Sequence, residues 1–188
     1  MSEKRVLIWS PYASWGYHAM QEATLAHALA NHGHQVLFLG CNGLFRSCGV
    51  YRETTVPRDP GSCQWCMSTA SRNLASVASA HRWLGDVIPG PTQAAVDTWA
   101  AGLPDHELLD AEWMGRPVGA WATSSALYQF RAETLDLDDP HQAGIARNIV
   151  HGTALSWEGL SVVFDQYAPD VLLTLNGRFF SHRVALEL

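Results

Sequence analysis

His18 and Glu22 stand four residues apart, on one face of an expected helix that follows the first apolar strand. That spacing suits the movement of a proton. Histidine titrates near neutrality, so His18 could take the proton of a hydroxyl as its oxygen attacks an electrophile. Glu22, one turn further on, could orient the imidazole and stabilise its charged form. The same pair could equally serve the helix alone, with His18 at its start and Glu22 against its dipole. Beside them Trp15 offers an aromatic face on which a sugar ring or a base could stack.

The second candidate group is made of thiols. All four cysteines fall between Cys41 and Cys66. Cys41 follows the second apolar strand, Cys48 comes later in the same loop, and Cys63 and Cys66 form a CxxC at the start of an expected helix. A helix N-terminus lowers a thiol pKa. Four thiolates can close a tetrahedral zinc site or hold an iron–sulfur cluster. A structural zinc in a 41–66 insertion is therefore expected, with an iron–sulfur cluster second. Buried thiols, or a redox CxxC with two bystanders, are the alternatives, because the spacing matches no standard zinc finger.

A third group is Asn176, Gly177 and Arg178, between a buried strand and a helix. Arg178 could grip a carboxylate or phosphate bidentately, and Asn176 could bond a sugar hydroxyl. Asn-Gly could also be no more than a turn. Ser124 and Ser125 follow an expected small-residue strand, Val118 to Thr123, although a serine there commonly caps a helix. Arg131, His151 and His182 belong to no constellation that spacing defines.

The elements that must position these residues begin with a βαβ unit. Arg5 to Ser10 is continuously apolar up to its end, as a strand buried on both faces should be. Tyr17 to Asn31 is helical, with Leu25 and Leu29 on its apolar stripe and alanines for close packing. Gly33 is the natural C-cap, and Gln35 to Leu39 is the second strand. Ligands of open parallel sheets bind outside the carboxyl ends of the strands, where His18 would lie. Beyond this, a short strand is expected near Arg52 to Val56. Helices are expected at Cys66 to Val87, Thr92 to Ala101 and Gln142 to Gln166. Leu103 to Pro117 reads as loop or broken helix. A strand precedes Asn176-Gly177, and a last helix starts near Phe179. The expected fold is an α/β, Rossmann-like parallel sheet with helices on both faces, as one domain over residues 1–188. The last helix shows no C-terminal cap before Leu188, so a longer protein is expected.

Composition sets outer bounds. Of the 188 residues 47% are hydrophobic and 16% charged, which is globular composition. The net charge is −6 and no basic run occurs, so no nucleic-acid partner is expected. No apolar run approaches the roughly 18 residues of a membrane span. No signal-peptide layout opens the chain, so a cytoplasmic location with reduced thiols is expected, with peripheral association at the inner membrane left open. Most of the eight tryptophans should be core filler.

Two segments carry a resemblance. VLIWSPYASWGYHAMQEATLAHALANHGHQVLFLG and PDVLLTLNGRFFSHRVALEL resemble the first half of a GT-B glycosyltransferase. More narrowly, LGCNGLFRSC, CQWC and NGRF resemble bacterial enzymes of capsule and surface-polysaccharide synthesis. The resemblance implies an acceptor-side domain, with the nucleotide-sugar donor held by a missing C-terminal domain. It implies sugar transfer to a surface glycan or related acceptor, with His18 at the place of the base histidine of inverting members. It also implies that the isolated chain is inactive. No GxGxxG follows the first strand, which argues against a dinucleotide site and ranks a sugar-nucleotide epimerase lower. The rival class is a non-catalytic metal- or nucleotide-binding module.

Overall fold

The computed structural model describes residues 2–13, 15–48, 60–75 and 80–188. The strand expected at Arg52 to Val56 lies outside them. The chain divides into two compact units: residues 1–44, 59–87 and 159–175 form the first, and residues 45–58, 88–158 and 176–188 the second.

The first unit carries a four-stranded parallel sheet in the order β3-β2-β1-β4. Its strands are β1 (Arg5–Ser10), β2 (Gln35–Gly40), β3 (Ala80–Trp83) and β4 (Val171–Thr174). The sheet is α/β and Rossmann-like, as the opening βαβ pattern predicts. β1 and β2 are buried from their second residue onward, which explains their unbroken apolar sequence. Helix α1 (Gly16–Asn31) packs its small residues, Ala23 and Ala26, into a core with Val6, Ile8, Val36 and Phe38. Leu25, assigned to the apolar stripe, is instead 44% exposed, because the alanines lie closest to the sheet. Gly33 has φ +81°, the left-handed turn that only glycine adopts freely, and it lets the chain reverse into β2.

The N-terminal edge of the sheet is tied by polar bonds. The Arg5 amide donates to Asp170 Oδ2 at 2.8 Å, and the Asp170 amide donates to the Arg5 carbonyl at 2.8 Å. The Tyr167 hydroxyl donates to the Gln35 carbonyl at 2.8 Å. β3 was not foreseen, since Cys66 to Val87 reads as a single helix. Helix α2 (Pro60–Leu74) stops well short of Val87, and a polar edge strand, AHRW, then precedes the short helix α3 (Leu84–Val87). Four residues with alternating partial burial are too few to break a helical pattern convincingly.

The second unit is helical. Its elements are α4 (Gly90–Gly102), a 3-10 turn (Asp105–Glu107), α5 (Val118–Phe130), most of α6 (Pro140–Tyr167) and α7 (Phe180–Leu186). The strand expected from Val118 to Thr123 is the start of α5. Burial at Val118, Ala122, Ser125 and Ala126 follows helical spacing, and alanine favours the helix. Gly119 makes this packing possible. A Cβ there would lie 2.5 Å from the Leu108 carbonyl oxygen and 2.6 Å from the Ala111 nitrogen, both backbone. Gly119→Ala should therefore destabilise by about 1–3 kcal/mol despite alanine's better helix propensity, and a thermal melt would show it.

Two histidines, His151 and His182, are buried among these helices, the first bonded to half-exposed Asp97. Asp97 accepts from Arg46 at 2.6 Å and from His151 Nε2 at 2.7 Å, an arrangement that spacing did not reveal. His182 on α7 is 1% exposed, and burial depresses its pKa from 6.5 to about 3. The neutral imidazole is thus the folded form. Stability is whole above pH 6.5 and falls as acid charges the unfolded chain first. By about pH 4 the loss should be on the order of 3 kcal/mol. Denaturant melts across that range should show the slope in the wild type and a shallower one in His182→Leu.

Tryptophan is less central than composition suggests. Trp9 is fully buried in β1, whereas Trp99, Trp113, Trp121 and Trp157 are half-buried and pair with one another in the second unit. Trp113 Nε1 donates to Glu158 at 2.6 Å, and the Arg116 guanidinium lies 4.6 Å over the Trp157 ring.

Candidate active site

The strand order fixes where a ligand should bind. From β1 the chain proceeds outward to β2 and β3, then returns to place β4 on the other side of β1. The connections diverge at β1, and such a switch point opens a crevice at the carboxyl ends of the strands. Ser10 is the last residue of β1, in register with Gly40 at the end of β2.

Ser10 is buried, and its hydroxyl donates a hydrogen bond to Glu22 Oε2. α1 thus carries the Glu22 carboxyl to the end of β1. Burial raises the Glu22 pKa from 4.5 to about 7, and the bond from Ser10 opposes that rise. A carboxyl held near neutrality beside a hydroxyl is the arrangement a general base and its nucleophile require. Ser10 escaped sequence reading because a polar residue closing an apolar strand looks like a strand end. The usable signal was its position at the carboxyl edge, twelve residues before a glutamate on the following helix.

His18 is half-buried on the first turn of α1, amid rings. The Trp15 and His18 rings are 5.7 Å apart, Tyr17 and His18 5.8 Å, and Tyr12 and Trp15 5.7 Å. The segment after Ser10 is thus walled by aromatic faces, and Trp15 is placed where stacking is possible.

The thiols do not converge. Among the described residues no group of three or more histidine, cysteine, aspartate or glutamate side chains could hold a metal ion. Cys41, Cys63 and Cys66 belong to the first unit and Cys48 to the second. Cys66 packs on an apolar cluster of Ala13, Ala19 and Ala70 beside Trp83. The metal-binding expectation is corrected accordingly: crowding in sequence reflected a loop and a helix face, not a ligand sphere.

Asn176, Gly177, Arg178 and Ser124 lie in the second unit, whereas His18 and Trp15 lie in the first. Asn176 Oδ1 accepts from the Arg178 amide at 2.9 Å, an Asx turn. A Cβ at Gly177 would meet the tip of the exposed Leu186 side chain, Cδ1 at 2.3 Å, which a change of rotamer could relieve. Ser124 sits on α5 rather than after a strand, so it caps nothing.

No protein-family model and no curated protein matches the chain. A solved structure does. The fold is similar to that of a cyclodipeptide synthase (CDPS) from Fluoribacter dumoffii, with a TM-score of 0.53 at 9% identity, over 98% of this chain and 83% of that one. This likeness overturns the resemblance to a GT-B glycosyltransferase, together with the acceptor-half assignment, the nucleotide-sugar chemistry and the glycan acceptor drawn from it. It gives no support to a non-catalytic module either. The physical reason for the error is plain. An apolar strand, a turn, an alanine-rich helix and a second apolar strand are what any Rossmann-like βαβ requires, whatever its chemistry. Among the described residues no helix is long and apolar enough to cross a membrane.

Proposed function

We propose that this protein is an acyl-transferring enzyme of the cyclodipeptide synthase kind, which accepts an aminoacyl group from an aminoacyl-tRNA on Ser10 and passes it to the amine of a second aminoacyl-tRNA. The observation that carries the reading is the Ser10–Glu22 hydrogen bond at the switch point, with the Glu22 carboxyl near pH 7. The shared fold supports it.

The steps follow from these two side chains. The Glu22 carboxylate takes the Ser10 proton as Oγ attacks the ester carbonyl. The ribose oxygen leaves and takes that proton from Glu22. The amine of a second aminoacyl group then attacks the Ser10 ester, its proton passes to Glu22, and Ser10 Oγ leaves and recovers it. The free amine of the resulting dipeptidyl-tRNA attacks its own ester carbonyl, closing a six-membered ring; the second ribose oxygen leaves and takes up the proton that the amine loses. The rings of Tyr12, Trp15 and His18 would hold the amino acid side chain.

The test is to incubate the protein with aminoacyl-tRNA labelled in the amino acid. Label that survives ribonuclease on the peptide containing Ser10, with a cyclic dipeptide in the organic extract, is expected. Absence of both would end the reading.

A further inference from the structure

A cavity of about 640 Å³ opens in the helical unit, between α5 and the segment leading into α7. Its lining includes two arginines, Arg131 and Arg178, together with Ser124, Tyr128, Leu127 and Ala132. We infer that it is a binding site for an organic anion with an apolar body, whose phosphate or carboxylate head is gripped by Arg131 and Arg178. This is independent of the chemistry at Ser10.

Three observations carry the inference. First, neither guanidinium has a carboxylate within ion-pair distance among the described residues, although Arg5, Arg46, Arg147 and Arg183 each have one. Arg131 and Arg178 are both exposed, so water screens their mutual repulsion, and an anion with two acceptor oxygens would engage both at once.

Second, local structure sets the backbone of both arginines and the side chain of one. The Asx turn at Asn176 fixes the backbone of Arg178, whose guanidinium lies 5.1 Å over the Tyr128 ring. Stacking occupies one face of the guanidinium and leaves its N–H edges to donate. Arg131 caps α5 at φ 53° and ψ 39°, the left-handed conformation that glycine would fill without strain. A strained non-glycine residue at a helix end is commonly retained for what its side chain does.

Third, the size and the remaining lining exclude a bare ion. The volume lies in the range of cofactor and small-molecule pockets. Leu127, Ala120 and Ala132 provide apolar contact, and Ser124 an exposed hydroxyl.

The experiment is calorimetric titration of the intact protein with phenyl phosphate, benzoate, inorganic phosphate and phenol. Phenyl phosphate or benzoate should bind, and the stronger of the two identifies the head group. Arg178→Gln and Arg131→Gly should each weaken that binding by about tenfold or more. Arg131→Gly should also raise the melting temperature, because glycine relieves the left-handed strain. Gain of stability with loss of binding separates a ligand clamp from a merely structural arginine. Failure of both organic anions to bind at millimolar concentration, or equal binding to both variants and wild type, would overturn the inference. So would inorganic phosphate binding as tightly as phenyl phosphate, or phenol binding as tightly as either anion.

Discussion

Glu22→Gln should make the protein more stable above neutral pH and nearly inactive. The carboxyl titrates at 4.5 when exposed and at about 7 in the fold, because burial penalises its charge. A raised carboxyl pKa means that the fold favours the protonated form. Its contribution is full below pH 4.5 and is lost as pH rises through about 7. At about pH 8 the buried carboxylate should cost on the order of 3 kcal/mol. Glutamine keeps the shape and still accepts the Ser10 hydroxyl, but it never ionises. Denaturant melts should therefore show Glu22→Gln more stable than wild type at about pH 8 and no more stable at about pH 4. Turnover should fall by about 100- to 10,000-fold, the usual worth of a general base. In the wild type it should rise with pH through about 7. A variant that gains no stability at high pH would show that Glu22 is not held protonated, and one that keeps full turnover would remove it from the chemistry.

Under the proposed acyl transfer, Ser10→Ala should abolish the covalent acyl-enzyme and lower cyclic-dipeptide formation by roughly 10,000-fold or more, the scale seen when a nucleophile is removed. Groups that act as one unit lose their effect together, so Ser10→Ala with Glu22→Gln should be no slower than Ser10→Ala alone. A second readout separates this from misfolding. The Ser10 hydroxyl donates to the ionised carboxyl and lowers its pKa, against the burial that raises it. Without that hydroxyl the Glu22 pKa should climb further, and the stability lost between pH 4.5 and about 7 should extend to higher pH. Unchanged titration of Glu22 in a folded Ser10→Ala protein would show that the bond does not govern the carboxyl.

The sheet was largely legible because its causes are local. Apolar runs at Val6 to Trp9 and Val36 to Leu39, a left-handed glycine at position 33 and the alanine-rich helix α1 each report their own conformation. α5 was not legible, because the sequence from Val118 to Thr123 alternates in a way that suits a strand as well. What decides it is Gly119 against the backbone of Leu108 and Ala111, a contact between separate elements. β3 is polar and four residues long, and its pairing to Leu37–Gly40 supplies what its sequence lacks. At the candidate site Glu22 was picked out, but its hydrogen bond to Ser10 was not. Helical spacing pointed to His18, whereas the pairing that forms crosses from helix to strand, to Ser10. The four cysteines failed for the same reason in reverse, since nearness along the chain did not survive folding. The resemblance to glycosyltransferases rested on features that every βαβ of this type shares, and they could not choose among chemistries.

The pairing of β1 with β4 has a consequence during synthesis. Val6 to Trp9 pair with Val171 to Thr174. When β1 and β2 have left the ribosome, one edge of the central strand still lacks its neighbour. At roughly 5–20 residues per second, that edge waits on the order of ten seconds or more for β4 to emerge. Throughout that interval the nascent chain presents an apolar strand with unpaired amides and carbonyls, a template for pairing with another chain. Yield in the cell should then depend on translation speed and chaperone supply more strongly than the stability of the finished fold would indicate.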